Sequence, residues 1–388
     1  MMFWFQLWRE FKLSVAEIFS VFGEFSVVEL TTDFLIVSWI SKETILEKAK
    51  ILGWTIKIIE ILTTWTDHQE VLEEKLVIPW FEGKYTYALN IFGKTDIWLK
   101  TVLKISKEII KSSNLNPRFV NKDFKNIASV VVIKEALVKK ATDFNMIFSN
   151  DKIYFWNTIW VQNIYWYSNR DYWKERNMFV WMLPPKLAQM MINLANNSQK
   201  EEFVVYDPFV WLWTVLIESV NMWNKKFFWT DLNPEMARVS KENVLKINKD
   251  LDVTTLTQNS KYIQEIDFIN NVDVIVTEWY LWEIMTQKNI NLDRINKQTE
   301  KLADLYEWFF SWLNKLNFKG NVVISFPFWE MNKKYFYFDK IYDIIEKYCI
   351  INELLPRNLD IQTTKSWSLL YKRKDQLVWR EIFSLKLK

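Results

Sequence analysis

EFVVYDPFVWLWTVLIESV, residues 202–220, joins a short apolar run ending in an acid to an amphipathic run of helical spacing. A brief apolar stretch, a sharp turn and a helical pattern together predict a strand–turn–helix unit. The turn itself is unusual. Such turns favour glycine, which takes positive φ without steric cost and lets a ligand approach the backbone, yet Trp211 and Trp213 stand here. The pattern repeats downstream. KKFFWTD (225–231) precedes the helical PEMARVSKENVLKI, and DVIVTE (273–278) precedes a long helical stretch through LADLYEWFFSWLNKL. NVVISFP (321–327) reads as a fourth strand. Strands alternating with helices predict an α/β domain on a parallel sheet. The tail LLYKRKDQLVWREIFSLKL (369–387) offers two β-rich runs, expected as an antiparallel pair at the sheet edge.

The odd turn belongs to a wider anomaly. The 388 residues include 23 tryptophans and only 5 glycines, whereas glycine ordinarily supplies about 7% of a chain. Trp54 follows Gly53 in LGWT, and Trp229 precedes an acid in FFWTD. We read many of these tryptophans as standing where glycine belongs, as a UGA codon translated as Trp in a lineage assigning it to Gly would produce. An indole at Trp211 or Trp213 is then expected to obstruct a loop that should approach a ligand, since each Trp brings roughly 150–250 Å² of surface needing burial.

Bulk properties exclude several chemistries. The length predicts two domains or three, and we place the division at 1–165 and 166–388. The net charge of +3 identifies no partner by itself, but ten Lys/Arg against three acids between Trp98 and Lys140 could contact phosphates or form a solvated face. Cys349 is the single cysteine, which leaves no internal disulfide and no multi-Cys zinc site, and its apolar setting KYCII reads as core. His68 is the single histidine, in TDHQE, a polar loop or helix start, so no metal site and no Ser-His-Asp chemistry is expected. No apolar run is long enough to span a membrane, and Arg9, Glu10 and Lys12 interrupt the opening residues where a signal peptide needs an apolar core. A cytoplasmic location without membrane attachment is the expectation.

Upstream of the α/β half, Ser14 and Glu17 in SVAEIF have capping-box spacing and are expected to start a helix. Residues 84–150 mix the strand-like YTYALNIF, the basic amphipathic WLKTVLKISKEIIKSS and SVVVIKEALVKKA. The Asn-, Tyr- and Trp-rich segment 151–177 reads as an irregular connector. Asp231, ending the second strand of the α/β half, could accept the ribose hydroxyls of a nucleoside cofactor or cap the helix NPEMARV.

Asp207-Pro208-Phe209 with Trp211, Trp213 and Thr214 resembles motif I of class I S-adenosylmethionine-dependent amino-methyltransferases, and Asp231 matches their ribose-binding acid. Thr277-Glu278-Trp279-Tyr280 occupies the slot of their Asp/Asn-Pro-Pro-Tyr catalytic motif. RNMFVWMLPPKLAQMMINLA (176–195), with glycine for Trp181, resembles the segment entering the catalytic domain of archaeal and eukaryotic tRNA guanine-N2 methyltransferases that carry a THUMP domain. Arg170-Asp171, TIWVQ around Gln162 and DQLVWRE around Arg380 resemble other stretches of that group, as FQLWREFKLSVAEI and LGWTIKI resemble its N-terminal region. Trp181, Trp211, Trp213, Trp223, Trp229, Trp279 and Trp282 fall where the family places tight turns or cofactor-facing loops.

The resemblance implies a Rossmann-like class I methyltransferase with a mixed seven-stranded sheet, preceded by an α+β region containing a THUMP-like RNA-binding domain. It implies methyl transfer from S-adenosylmethionine to guanine N2 in tRNA, with tRNA as partner and the need for an activator subunit left open. Glu278 would hold the exocyclic amine and Tyr280 would stack on the base. Asp207, Phe209, Trp211, Trp213, Thr214, Asp231 and Asn259 would hold the cofactor. Lys100, Lys104, Lys107, Lys111, Arg118, Arg170 and Lys186 would contact RNA, though Lys186 could equally solvate a helix start. The chain departs from the pattern in having Glu at 278, in lacking both prolines, and in carrying Asn259-Ser260 where an adenine-binding acid is expected. A DNA amino-methyltransferase and a non-catalytic RNA-binding protein remain as alternatives.

Overall fold

β-branched and aromatic residues recur at short intervals through the first 165 residues, and their strands pair into one sheet. The computed structural model describes residues 1–78, 81–149, 151–173, 183–196, 199–210, 213–222, 226–231, 233–257, 267–278, 289–373 and 376–388. The chain divides into two units. The first comprises Met1–Phe11, Glu24–Lys50 and Thr55–Trp173; the second comprises Lys12–Gly23, Ile51–Trp54 and Lys174–Lys388.

In chain order the first half forms β1 (Met2–Leu7), α1 (Phe11–Phe22), β2 (Ser26–Leu30), β3 (Phe34–Ser38), α2 (Lys42–Lys48), β4 (Thr55–Ile61) and β5 (Thr63–Trp65). It continues with α3 (His68–Lys75), β6 (Lys84–Gly93), α4 (Leu99–Ser112), β7 (Asn116–Phe119), α5 (Ser129–Lys134) and α6 (Leu137–Lys140). It ends with β8 (Asp143–Ser149), β9 (Lys152–Val161) and α7 (Ile164–Trp173). The sheet order is β2-β3-β1-β4-β9-β8-β6-β7, with β5 also on β9. Strand β6 runs parallel to both β7 and β8.

Segment 151–177 is therefore no irregular connector up to Trp173: β9 is an interior strand pairing with both β4 and β8. Ile153, Tyr154, Phe155, Trp156 and Thr158 suit a pleated, half-buried surface, and that preference prevails over the Asn content. The apolar side of α4 buries Val102, Leu103 and Ile110 against Tyr85, Tyr87 and Phe144. Its lysines are left outside. Asp67 caps α3, accepting from Gln69 N–H (2.6 Å) and Glu70 N–H (3.3 Å), so His68 does begin a helix.

The first unit also buries a polar row across four strands. Lys57 of β4 lies 3.2 Å from Asp143 of β8 and donates to Asn145 Oδ1 at 2.7 Å. Asn90 of β6 donates to Asp143 Oδ1 at 2.9 Å, and Thr158 of β9 donates to Asp143 Oδ2. Burial pulls the Lys57 ammonium below the usual lysine range, and Asp143 partly offsets that.

The second unit contains α8 (Pro185–Ala195), β10 (Val205–Asp207), α9 (Thr214–Asn221), β11 (Lys226–Asp231), α10 (Pro234–Ile247), β12 (Asp252–Thr257) and β13 (Val274–Glu278). Then follow α11 (Leu292–Lys315), β14 (Asn321–Met331), β15 (Lys334–Phe336), α12 (Lys340–Tyr348), β16 (Cys349–Ile351), β17 (Leu369–Tyr371) and β18 (Val378–Leu387). Its sheet order is β12-β11-β10-β13-β14-β18-β16, with β15 on β14 and β17 on β18. The principal path has the seven strands expected; two short strands extend it. The pairings from β12 to β14 are parallel and those of β18 antiparallel. The tail pair is not at the edge, because β18 lies between β14 and β16 and is buried along most of its length.

Ile295, Leu302, Tyr306, Phe309 and Leu313 recur at helical spacing on α11 and fill a core with Phe326, Phe338, Ile341 and Phe383. Burying each such side chain contributes about 1.5–3 kcal/mol. Cys349 belongs to this core, where burial pushes its thiol up to about 12. Among the described residues, no helix is long and apolar enough to cross a membrane.

Candidate active site

The sheet order changes direction at β10: β11 and β12 lie to one side, and the chain then crosses to β13 on the other. Open α/β sheets bind ligands in the crevice at such a switch point, beyond the carboxyl ends of the strands. Asp207, Asp231 and Glu278 are the last residues of β10, β11 and β13. Three acids therefore end three strands that are neighbours in the sheet.

Asp207 is fixed across the switch point. Its Oδ1 accepts from Thr277 Oγ1 of β13 at 2.7 Å and from Phe209 N–H at 3.1 Å. Burial pushes its carboxyl up to about 7; the Thr277 and Phe209 hydrogen bonds oppose the shift, while Asp231 and Glu278 add to it. Glu278 is paired with Arg380 of β18, whose Nε–H donates to Oε1. The side chains are 15% and 3% exposed, respectively. Burial also raises the Glu278 carboxyl, and the Arg380 charge and hydrogen bond pull against it. Ser325 of β14 lies opposite Glu278 in register and is 2% exposed. Its hydroxyl has no hydrogen-bond partner among the described residues.

Asp231 is not the cap of the helix after it. Its Oδ1 accepts from Asn233 N–H at 2.8 Å, and Asn233 caps α10 by accepting from Glu235 N–H at 2.9 Å. Phe209 turns its ring against Phe309 of α11, at 5.8 Å between centroids. Trp213 occupies the N-cap of α9 with φ 49° and ψ 17°, in the left-handed region, and is 2% exposed. Thr214 begins that helix and is buried. Trp39 (φ 67°) and Trp367 (φ 58°) share the left-handed backbone while exposing 87% and 44% of their surface. A side chain larger than hydrogen is unfavourable in this region. Trp211, Asn259 and Tyr280, with Trp181, Trp223, Trp279 and Trp282, lie outside the described residues.

The candidate RNA-contacting residues fall on several elements. Lys100, Lys104, Lys107 and Lys111 follow one exposed side of α4; Lys100 lies over the Phe124 ring at 5.3 Å, and Lys111 pairs with Glu108 at 3.1 Å. Arg118 forks onto Glu135, with its nearest nitrogen at 3.0 Å. Arg170 lies on α7. Lys186, near the start of α8, is half-buried, and its charge lowers the carboxyl of Glu17.

Glu17 itself was misread by spacing. Helix α1 begins at Phe11, so Ser14 and Glu17 lie inside it, both fully buried. Glu17 accepts from Gly53 N–H, Trp54 N–H and Asn193 Nδ2, each at 2.7 Å, while Ser14 Oγ donates to Trp54 O at 2.7 Å. Burial pushes the Glu17 carboxyl up to about 7 against those hydrogen bonds. A Cβ at Gly53 would stand 2.5 Å from the Lys186 carbonyl oxygen, so the segment closes only with glycine there. Residues 12–23 and 51–54 are thereby tied to α8 within the second unit.

No protein-family model and no curated protein matches the chain. Solved structures do. TrmN from Thermus thermophilus superposes with TM-score 0.51 at 12% identity, covering 100% of both chains. A possible methylase from Clostridium difficile 630 gives 0.50 at 12% identity, covering 100% of this chain and 98% of the other. This likeness, with the observed strand order, establishes a Rossmann-like class I methyltransferase fold with a mixed sheet.

Proposed function

We propose that the chain is an S-adenosylmethionine-dependent RNA methyltransferase acting on guanine N2 in tRNA. The observation that carries this reading is the crowding of Asp207, Asp231 and Glu278 at the switch point, with two of the three carboxyls raised and one guanidinium beside them. Such a donor set fits a cationic ligand, because positive charge brought among these carboxylates lowers their mutual repulsion. S-adenosylmethionine, when bound, supplies an electrophilic methyl group on a positively charged sulfonium.

The residues present suit that ligand. Asp231 accepts the ribose hydroxyls, Asp207 holds the loop after β10 by accepting from Phe209 N–H, and Thr214 begins the helix after that loop; the backbone at positions 211 and 213, and Asn259, complete the proposed cofactor set. Glu278 accepts hydrogen bonds from the exocyclic amine and takes up its proton. An amine conjugated with a base is a weak nucleophile, so its orientation and the local electrostatics provide the rate. Tyr280 stacks on the target base, which leaves its own stack to be reached. The lysines of α4, with Arg118, Arg170 and Lys186, contact RNA phosphates in this reading. The part before residue 166, apart from residues 12–23 and 51–54, is then an RNA-binding region containing a THUMP-like domain.

Left-handed backbone at Trp39, Trp213 and Trp367 supports the view that glycine belongs at such positions. Activity is expected of the chain carrying Trp181→Gly, Trp211→Gly, Trp213→Gly, Trp223→Gly, Trp229→Gly, Trp279→Gly and Trp282→Gly, although Trp229 lies fully buried within β11 and not in a turn or loop. Transfer of tritium from labelled cofactor is the test. Label in tRNA supports the reading; label in duplex DNA alone, or RNA binding without transfer, replaces it with one of the alternatives.

A further inference from the structure

Arg380 lies two strands from Glu278 and 102 residues away in sequence, yet the two meet. Glu278 stands opposite Ser325 on β14, and Arg380 opposite Pro327 of the same strand, two positions further along. Both residues therefore project from one face of the sheet. On β17 the residue in register with Arg380 is Tyr371, whose ring centroid is 5.8 Å from the guanidinium carbon. Tyr371 in turn meets Trp54 edge-on at 5.6 Å, and Trp54 N–H is one of the donors to Glu17. The arginine is thus braced by an aromatic ring that is itself anchored to the N-terminal helix. A braced guanidinium offers a fixed planar donor, which a lysine ammonium cannot reproduce.

We propose that Arg380 is a positioning residue for the reaction: its guanidinium holds the Glu278 carboxylate at the carboxyl edge of the sheet and keeps it aimed at the incoming amine. This rests on the methyltransferase reading of the same site. An unheld glutamate has one more rotatable bond than the aspartate usual at this motif, and the side chain would sample several rotamers. The guanidinium removes that freedom and supplies the positive charge that favours the ionised, proton-accepting form. The other groups acting on this carboxylate work the other way. Burial disfavours the ionised form, Asp207 on β10 repels it, and buried Tyr306 on α11 contributes no positive charge. Arg380 is the cation set against them among the described residues.

The test uses the full glycine-restored chain with Arg380→Gln and Arg380→Lys, and reads Glu278 directly by carboxyl-carbon NMR alongside steady-state transfer. Arg380→Gln should raise the Glu278 titration by about one unit or more, which is tenfold in the proton equilibrium. Its kcat at neutral pH should fall at least about tenfold, with KM for RNA little changed and activity recovering as pH rises. Arg380→Lys keeps the charge and should restore most of the titration while leaving kcat reduced, because the planar donor is gone. An unchanged Glu278 titration in the glutamine variant, or full kcat in either folded variant, would overturn the proposal. Absence of transfer by the glycine-restored chain with Arg380 intact would overturn the reading of the reaction instead. The NMR titration still decides whether Arg380 holds Glu278.

Discussion

The two units bury charge in opposite ways. In the first, Lys57 and Asp143 form a matched pair whose hydrogen-bonding capacity is taken up by Asn90, Asn145 and Thr158. In the second, Asp207, Asp231 and Glu278 crowd the ends of adjacent strands beside Arg380. A charge pair enclosed by its own fold is a structural device, with nothing left to offer a ligand. A cluster carrying excess charge of one sign disfavours its own ionisation, and a ligand of the opposite sign relieves it. This contrast marks the strand-end cluster as the candidate site.

The largest effect that would break the contrast is pH, because two carboxyls act in the same direction. Asp207 and Glu17 are each pushed up to about 7 in the folded state, against about 4 in an unfolded chain. Between these values the folded form holds protons that the unfolded form has lost. Stability of the second unit should therefore decline as pH rises from about 4 to about 7. Calorimetric scans across that range should show the decline, and Asp207→Asn with Glu17→Gln should flatten it. A pH-independent transition in the parent protein would show that burial does not hold these two carboxyls protonated.

Next in size is the matched pair. Lys57→Met leaves Asp143 buried without its cation and should cost the first unit about 3–5 kcal/mol in denaturant unfolding. A cost below about 1 kcal/mol would mean that the pair is no structural device. Glu278→Gln should reduce transfer about 10²–10³-fold, or roughly 3–4 kcal/mol, with RNA affinity retained. Asp231→Ala should weaken cofactor binding by one or two orders of magnitude, about 1.5–3 kcal/mol, as measured by calorimetric titration. Unchanged affinity would reduce Asp231 to a support for Asn233. Trp39→Gly removes an exposed side chain from left-handed backbone and should stabilise by about 1 kcal/mol. A loss of stability there would count against glycine as the residue that belongs at this position.

The strand–helix alternation of the second unit was legible because periodicity is local: each strand and each helix carries its own pattern. So were the strand-end acids, which stand where apolar runs stop. The Glu278–Arg380 pair was not, since nothing local links a strand end to a residue 102 positions on. Arg380 entered only as part of a similar stretch. Ser14 and Glu17 show how spacing can mislead. Residues three apart can form a capping box, but they also share one face of a helix interior, and here that face is buried against residues 51–54 and α8. The backbone donors of Gly53 and Trp54 make a buried glutamate tolerable, and no one-dimensional pattern discloses them. Segment 151–173 failed for the converse reason: its polar residues suggested a loop, while the aromatic and β-branched residues between them carried the strand.

Nucleoside mass analysis of tRNA incubated with the glycine-restored chain and S-adenosylmethionine tests the central claim most directly. N2-methylguanosine should appear with the glycine-restored chain and fall about 10²–10³-fold when Glu278→Gln is added. A different methylated nucleoside, or unmodified tRNA despite cofactor binding, would contradict it.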